Sequence, residues 1–210
     1  MNSMLLRPYR KNLTTHGLIY LSGGEQPITI KNISISGVLA QLDSKVGKND
    51  IKQIFNTLLS STTVVDIYLP EMRLAGEVEV IRVDMEDDHI LLALEFRNVT
   101  YDVNDLLYKR KAYRKNLPGP GHILFNGSYM EFNSVNVSKD GIMIQLPETV
   151  HVEPGVVTVF EFKRLELEGE IKVIWVDHLP DGGTLMGLQY VHMEKSKIKG
   201  IPIFAWPQSA

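Results

Sequence analysis

The chain has 210 residues, is 44% apolar and 22% charged, and carries a formal net charge of −3. That length and apolar content suffice for two domains with cores of their own, and the negative balance excludes a general attraction to nucleic acid or anionic lipid, so any anionic partner must be held locally. There is no cysteine, which removes disulfides, thiol nucleophiles and cysteine-held metals and fits a reducing compartment.

Met1 to Arg10 holds no apolar run of signal-peptide length, and no stretch approaches the roughly 20 apolar residues of a membrane span, so a cytoplasmic location is expected. Runs of β-branched and aromatic residues bounded by Gly, Pro and Asn then predict strands at 17–21, 28–33, 38–42, 64–69, 73–83 and 90–96. Gly23-Gly24 and Asp87-Asp88 have hairpin-turn composition. Ile51, Ile54, Phe55, Leu58 and Leu59 recur at helical spacing behind Asn49 and Asp50, which predicts a helical insertion over about 43–62. Its apolar stripe is expected to close one end of a barrel, and it is the segment best suited to an asymmetric or homodimeric contact.

From 101 to 109 the chain turns polar, with Val103, Leu106 and Leu107 at the spacing of a short connecting helix. The second half predicts strands at 122–125, 128–137, 142–146, 156–162, 164–176 and 184–192, with Gly119-Pro120-Gly121 as loop punctuation and Asp181-Gly182-Gly183 at the last hairpin. Glu166, Glu168 and Glu170 alternate along one strand and read as its solvated face. Trp206, in the apolar tail, is expected to pack on the second barrel.

The two halves repeat one another. Tyr9-Arg10-Lys11-Asn12-Leu13 returns letter for letter as Tyr113-Arg114-Lys115-Asn116-Leu117, a shift of 104 that also aligns Asn32 to Gly37 with Asn136 to Gly141. Gly76 to Asp84 matches Gly169 to Asp177 at a shift of 93, so the first half carries about 11 extra residues. A repeat of this length marks two copies of one domain, since solenoid periods run to about 20–50 residues. The expected domains are 1–100 and 101–210.

Two signatures carry the candidate chemistry. Arg110 and Arg114 stand at RxxxR spacing, and Asn136-Val137-Ser138-Lys139-Asp140-Gly141 has the form [D/N]xSxxG. Arginine grips a phosphate or the O6/N7 edge of guanine with paired hydrogen bonds. Asn136 and Ser138 add uncharged donors and acceptors at alternate positions, which on a strand share a face. Gly141 suits a sharp turn or a close ligand approach.

At 21 intervening residues, the pair resembles the PilZ domain, a small β-barrel that binds the bacterial messenger cyclic di-GMP. The resemblance implies two tandem six-stranded antiparallel barrels with short helices, mainly β, the second holding the ligand. In it Arg110 and Arg114 would meet guanine edges and phosphates, Asn136 and Ser138 would hydrogen-bond a guanine and nearby ligand oxygens, and Gly141 would keep the surface clear. Gly187-Leu188-Gln189-Tyr190 resembles the family's late-strand glycine, with a structural role. The first half departs from the pattern: Leu6 stands where the first arginine belongs, and Arg7 is out of register by one. Arg7, Arg10, Asn32, Ser34 and Gly37 are therefore the weaker candidates.

His16, His89, His122, His151, His178 and His192 are scattered without metal-ligand spacing, His89 and His178 beside turn acids and so expected in solvent. No glycine-rich phosphate loop precedes a helix. The readings that remain are a non-enzymatic cyclic di-GMP receptor without cofactor or metal, which changes its domain arrangement and signals to a protein partner of motility, biofilm or secretion machinery, and, as the alternative, a PilZ-like protein adaptor that binds no nucleotide. A DNA-binding regulator is disfavoured by the acidic balance and by the lack of a helix-turn-helix pattern.

Overall fold

The computed structural model describes residues 11–43, 56, 62–101, 112–194 and 198–204. The chain divides into two compact units that part between Arg110 and Lys111. The first holds β1 (Lys11–Leu21), β2 (Gly24–Ile33), β3 (Gly37–Leu42), β4 (Val64–Leu69), β5 (Leu74–Glu86) and β6 (His89–Tyr101), closed as a barrel in the order β1-β2-β3-β6-β5-β4. The second repeats it with β7 (Lys115–Phe125), β8 (Ser128–Val137), β9 (Gly141–Leu146), β10 (Val157–Phe162), β11 (Leu167–His178) and β12 (Thr184–Tyr190), in the order β7-β8-β9-β12-β11-β10. Every pairing is antiparallel. Closure leaves no ladder edge open to another strand.

Alternation builds each interior. In β9 the residues Ile142, Ile144 and Leu146 are buried while Met143 and Gln145 are not. Phe132 and Phe162 fill the centre of the second barrel with ring centroids 6.4 Å apart, and Ile19, Ile28, Ile67 and Leu92 fill the first without any phenylalanine among its fully buried members. The hairpin at Asp87-Asp88 has both residues at positive φ, 47° and 62°, as a two-residue turn matching strand twist requires. The first hairpin turns instead on Ser22-Gly23, one residue before the Gly23-Gly24 expected.

Two readings from the sequence are corrected. Gly119-Pro120-Gly121 is not a loop but the middle of β7, with Gly119 opposite Ser134, Pro120 opposite Asn133 and Gly121 opposite Phe132. The strand absorbs Pro118 at a bulge between Asn116 and Gly119. The buried Ser134 hydroxyl pins this bulge by donating to the carbonyls of Leu117 and Gly119. Gly121 is required by crowding, since a Cβ there would stand 2.3 Å from the Phe132 ring and 2.6 Å from the Glu161 carbonyl oxygen.

The second correction concerns residues 73 and 164, placed at strand starts. Short 3₁₀ turns occupy Pro70–Met72 and Lys163–Leu165, and the strands begin at Leu74 and Leu167. Arg73 and Glu166 end these turns in the left-handed region at φ 52° and 53°, their N–H groups bonding back to Pro70 and Lys163. Non-glycine residues reach this region at a cost, and both copies keep it, so the turn belongs to the fold rather than to one sequence. Glu166, Glu168 and Glu170 are exposed. Most of the insertion at 43–62, the connecting segment at 102–110 and Trp206 lie outside the described residues; within the insertion Asn56 is helical.

Tyr190 stacks on Phe160 with ring centroids 5.7 Å apart, and its buried hydroxyl meets no partner among the described residues. Burial pushes its phenol above the ordinary value. An unmade buried hydrogen bond costs about 1–3 kcal/mol, so Tyr190→Phe is expected to stabilise the second barrel by about 1 kcal/mol or more. A lowered denaturant midpoint would show that the hydroxyl is satisfied.

Candidate functional site

The [D/N]xSxxG segment joins β8 to β9, and its serine builds the turn. The Ser138 N–H donates to the Gly141 carbonyl at 2.9 Å, and the hydroxyl donates to the same carbonyl at 3.2 Å while accepting the N–H groups of Asp140 and Gly141 at 3.2 Å each. At Gly141 a Cβ would lie 2.0 Å from the Leu188 carbonyl oxygen on β12. Glycine is required there by a neighbouring strand. The first unit repeats this construction: Ser34 bonds to the Gly37 carbonyl through its N–H at 2.8 Å and its hydroxyl at 3.2 Å, and a Cβ on Gly37 would stand 2.1 Å from the Leu94 carbonyl oxygen. The motif is therefore a turn device in both units.

Around the second copy of this turn the barrel forms a pocket of about 230 Å³, lined by Arg114, Asn136, Ser138, Asp140, Gly141, Trp175, Gly187 and Gln189 with neighbouring aliphatic groups. Arg114 sits one residue before β7 and is exposed. Asn136 lies on β8 between Asn116 and Met143, its Nδ2 directed at the Met143 sulfur at 3.3 Å. Of the candidates read from the sequence, the structure brings Arg114, Asn136, Ser138 and Gly141 to one pocket; Arg110, Arg7 and Arg10 lie outside the described residues.

Trp175 is the residue that motif reading missed. A bulge between Val173 and Trp175 breaks the pairing of β11 with β12, leaves Ile174 45% exposed and sets Trp175 opposite Gly187. A Cβ on Gly187 would come within 2.0 Å of the indole Nε1, so the glycine is what lets the ring lie over β12. The first unit has the same bulge between Val80 and Arg82, but there Arg82 faces Ala93 and pairs with Asp84 at 2.7 Å. The signal was present in the repeat, where Trp175 aligns with Arg82 in an otherwise matched strand. Asn32, Ser34 and Gly37 thus occupy corresponding places without the aromatic platform.

The C-terminal residues support the site from outside the pocket lining. Ile198 and Ile201 are fully buried in the second core, and Phe204 meets the Tyr113 ring edge-on with centroids 5.0 Å apart. The Tyr113 N–H donates to the Ile203 carbonyl at 3.4 Å, and Lys139 of the turn donates to the Ile198 carbonyl. The segments that carry Arg114 and Ser138 are therefore both tied to 198–204.

Chemically, the pocket offers an indole face, a guanidinium, an amide and the Asp140 carboxylate around one cleft. That set suits a planar base stacked on the ring and a phosphate or purine edge at the arginine. Elsewhere, His151 and His178 meet with ring centroids 5.2 Å apart, a proximity their sequence spacing did not show. His89, expected in solvent, has a buried Nδ1 without a partner among the described residues. Among the described residues no group of three His, Cys, Asp or Glu could hold a metal, and no helix is long and apolar enough to cross a membrane.

Residues 108–201 match the PilZ domain. The PilZ match starts before Arg110 and ends within the C-terminal segment, so it takes in both signatures, Trp175 and Gly187. Among solved structures, similar chains include YcgR from Escherichia coli in complex with c-di-GMP, at 11% identity and TM-score 0.35, covering 87% of this chain and 80% of that one. The inhibitor of motility MotI/DgrA from Bacillus subtilis is similar at 11% identity and TM-score 0.36, with coverage of 89% and 91%. The MrkH–c-di-GMP complex from K. pneumonia stands at 10% and 0.36, with coverage of 91% and 93%. No curated protein matches this chain.

Proposed function

We propose that the chain is a cytoplasmic receptor for cyclic di-GMP, without catalytic activity, whose second PilZ-type barrel binds the ligand. The observation that carries this reading is the pocket itself, in which Arg114, Asn136 and Ser138 converge with the Trp175 face inside the PilZ-matching segment. A guanine stacks on Trp175, Arg114 holds a phosphate or a guanine edge, and Arg110 adds the second guanidinium from the adjoining segment. At about 230 Å³ the cleft is smaller than the ~300–1,000 Å³ of typical ligand pockets, so part of the dinucleotide lies over the rim. Binding changes the balance between two arrangements of the units and is passed to a protein partner. The first barrel, with Arg82 and Ala93 in place of Trp175 and Gly187, serves as a structural partner with little or no affinity of its own.

One observation favours the adaptor as the second reading: the Ser138 hydroxyl is already engaged in its turn, as Ser34 is in the first unit, so the motif has a structural use without nucleotide. Calorimetric titration decides between them. Cyclic di-GMP is expected to bind with one strong site and well ahead of GMP; equal affinity for both, or no heat with either, leaves only the adaptor. Trp175→Ala is expected to weaken binding by about 5- to 150-fold, the equivalent of about 1–3 kcal/mol of base stacking. Undiminished affinity in that variant would remove the aromatic platform from the site.

A further inference from the structure

A second surface of the PilZ-type barrel shares no lining residue with the pocket. On β10 the rings of Phe160 and Phe162 point inward, so Val157 and Val159 face out, 51% and 36% exposed, and Tyr129 at the start of β8 is 66% exposed. Tyr129 stands opposite Leu124, and the Thr158 hydroxyl donates to the Leu124 carbonyl, which brings β10 and its outward Val159 alongside. These side chains make an apolar strip across three strands.

One step along the barrel runs a second row, in register across four strands: Glu131 faces His122, His122 faces Glu161, and Glu161 faces Glu168. Two carboxylates directly opposed on one sheet face repel and cost stability. The only cation the structure sets against this pair among the described residues is Lys163, 3.9 Å from Glu161 and exposed. A shallow groove of about 650 Å³ lies along the two rows.

The duplicated barrel offers a comparison for this face. The first-unit positions that align with Val159, Glu161 and Glu168 are Asp66, Tyr68 and Ala75, and they are only 1%, 7% and 3% exposed. The first copy of the fold buries these three positions; in the second they border an apolar strip and an acidic row against which Lys163 is the one cation among the described residues.

We propose that this face of β7, β8, β10 and β11 docks an amphipathic segment of a partner protein that carries Lys or Arg beside apolar side chains. Its charge excludes phosphate backbones and anionic membranes. A second copy of this chain would set one acidic row against another. Because the barrel is closed, recognition runs through side chains and not through an added strand. The inference deepens the signalling role proposed above by assigning a docking surface to the partner, and its test needs no nucleotide.

The test uses the full chain, ¹⁵N-labelled, titrated with a short peptide alternating leucine and lysine and, in parallel, with its leucine–glutamate counterpart. The lysine peptide is expected to shift amide signals of β7, β8, β10 and β11 only, and the glutamate peptide to shift none. Glu161→Gln with Glu168→Gln should weaken the lysine peptide at least about tenfold, and Glu161→Lys with Glu168→Lys should transfer the preference to the glutamate peptide. Absent binding, shifts centred on another surface, equal response to both peptides, or unchanged affinity in the paired variants would each overturn the proposal. Amide spectra of the variants that match the parent outside these four strands report that they are folded, which keeps this result separate from the nucleotide reading.

Discussion

Arg114→Ala is expected to weaken cyclic di-GMP binding by about 10- to 150-fold while leaving the melting temperature of the free protein almost unmoved. The loss corresponds to one charge-assisted hydrogen-bonding group worth about 1.5–3 kcal/mol. Arg114 is exposed, one residue outside β7 and at the mouth of the pocket, where a side chain adds little to the folded state. Arg114→Lys should recover only part of the affinity, because an ammonium cannot form the planar pair of bonds. The measurement is calorimetry beside a thermal melt. An Arg114→Ala protein that bound normally, or that unfolded, would make this segment structural and hand the function to the adaptor.

Leu146→Ala should do the opposite. Leu146 is fully buried in the second core, at the end of β9 and opposite Thr184, and it does not line the pocket. Truncation removes packed methyl groups and leaves a cavity that the closed barrel cannot easily fill, which costs about 2–5 kcal/mol. Below its lowered transition the variant should bind cyclic di-GMP as the parent does. A loss under about 1 kcal/mol by denaturant titration would place Leu146 outside the packed interior, and a loss of affinity in the still-folded variant would join core and site in a way the geometry does not suggest.

The two variants together describe which parts of this molecule could be read without coordinates. Runs of β-branched and aromatic residues bounded by Gly, Pro and Asn located part of every strand, because such residues suit a pleated surface with one buried face. β7 was half hidden because Pro118 to Gly121 look like a loop to any rule based on propensity; only the bulge and the Ser134 hydroxyl explain how they stay in the sheet. The 3₁₀ turns escaped notice since Arg73 and Glu166 are not residues one expects at positive φ. At the site, Arg114, Asn136 and Ser138 were legible as types at a spacing. Trp175 was not, because a bulge had shifted it out of the alternating pattern, and its partnership with Gly187 joins positions 12 residues apart on different strands.

The attachment of Tyr113 and Lys139 to residues 198–204 also sets the order of events during synthesis. Strands β7 to β9 leave the ribosome well before Ile198 and Ile201, which fill the second core, and before Phe204, which packs on Tyr113; this segment fastens the two stretches bearing Arg114 and Ser138. At about 5–20 residues per second, the interval between Gly141 and Phe204, 63 positions by subtraction of their numbers, is roughly 3–13 s. Throughout it the first barrel has its whole sequence available for folding while the pocket lacks its last support. A nascent chain therefore completes the pocket around Arg114 and Ser138 last, only once it has been synthesised at least to residue 204.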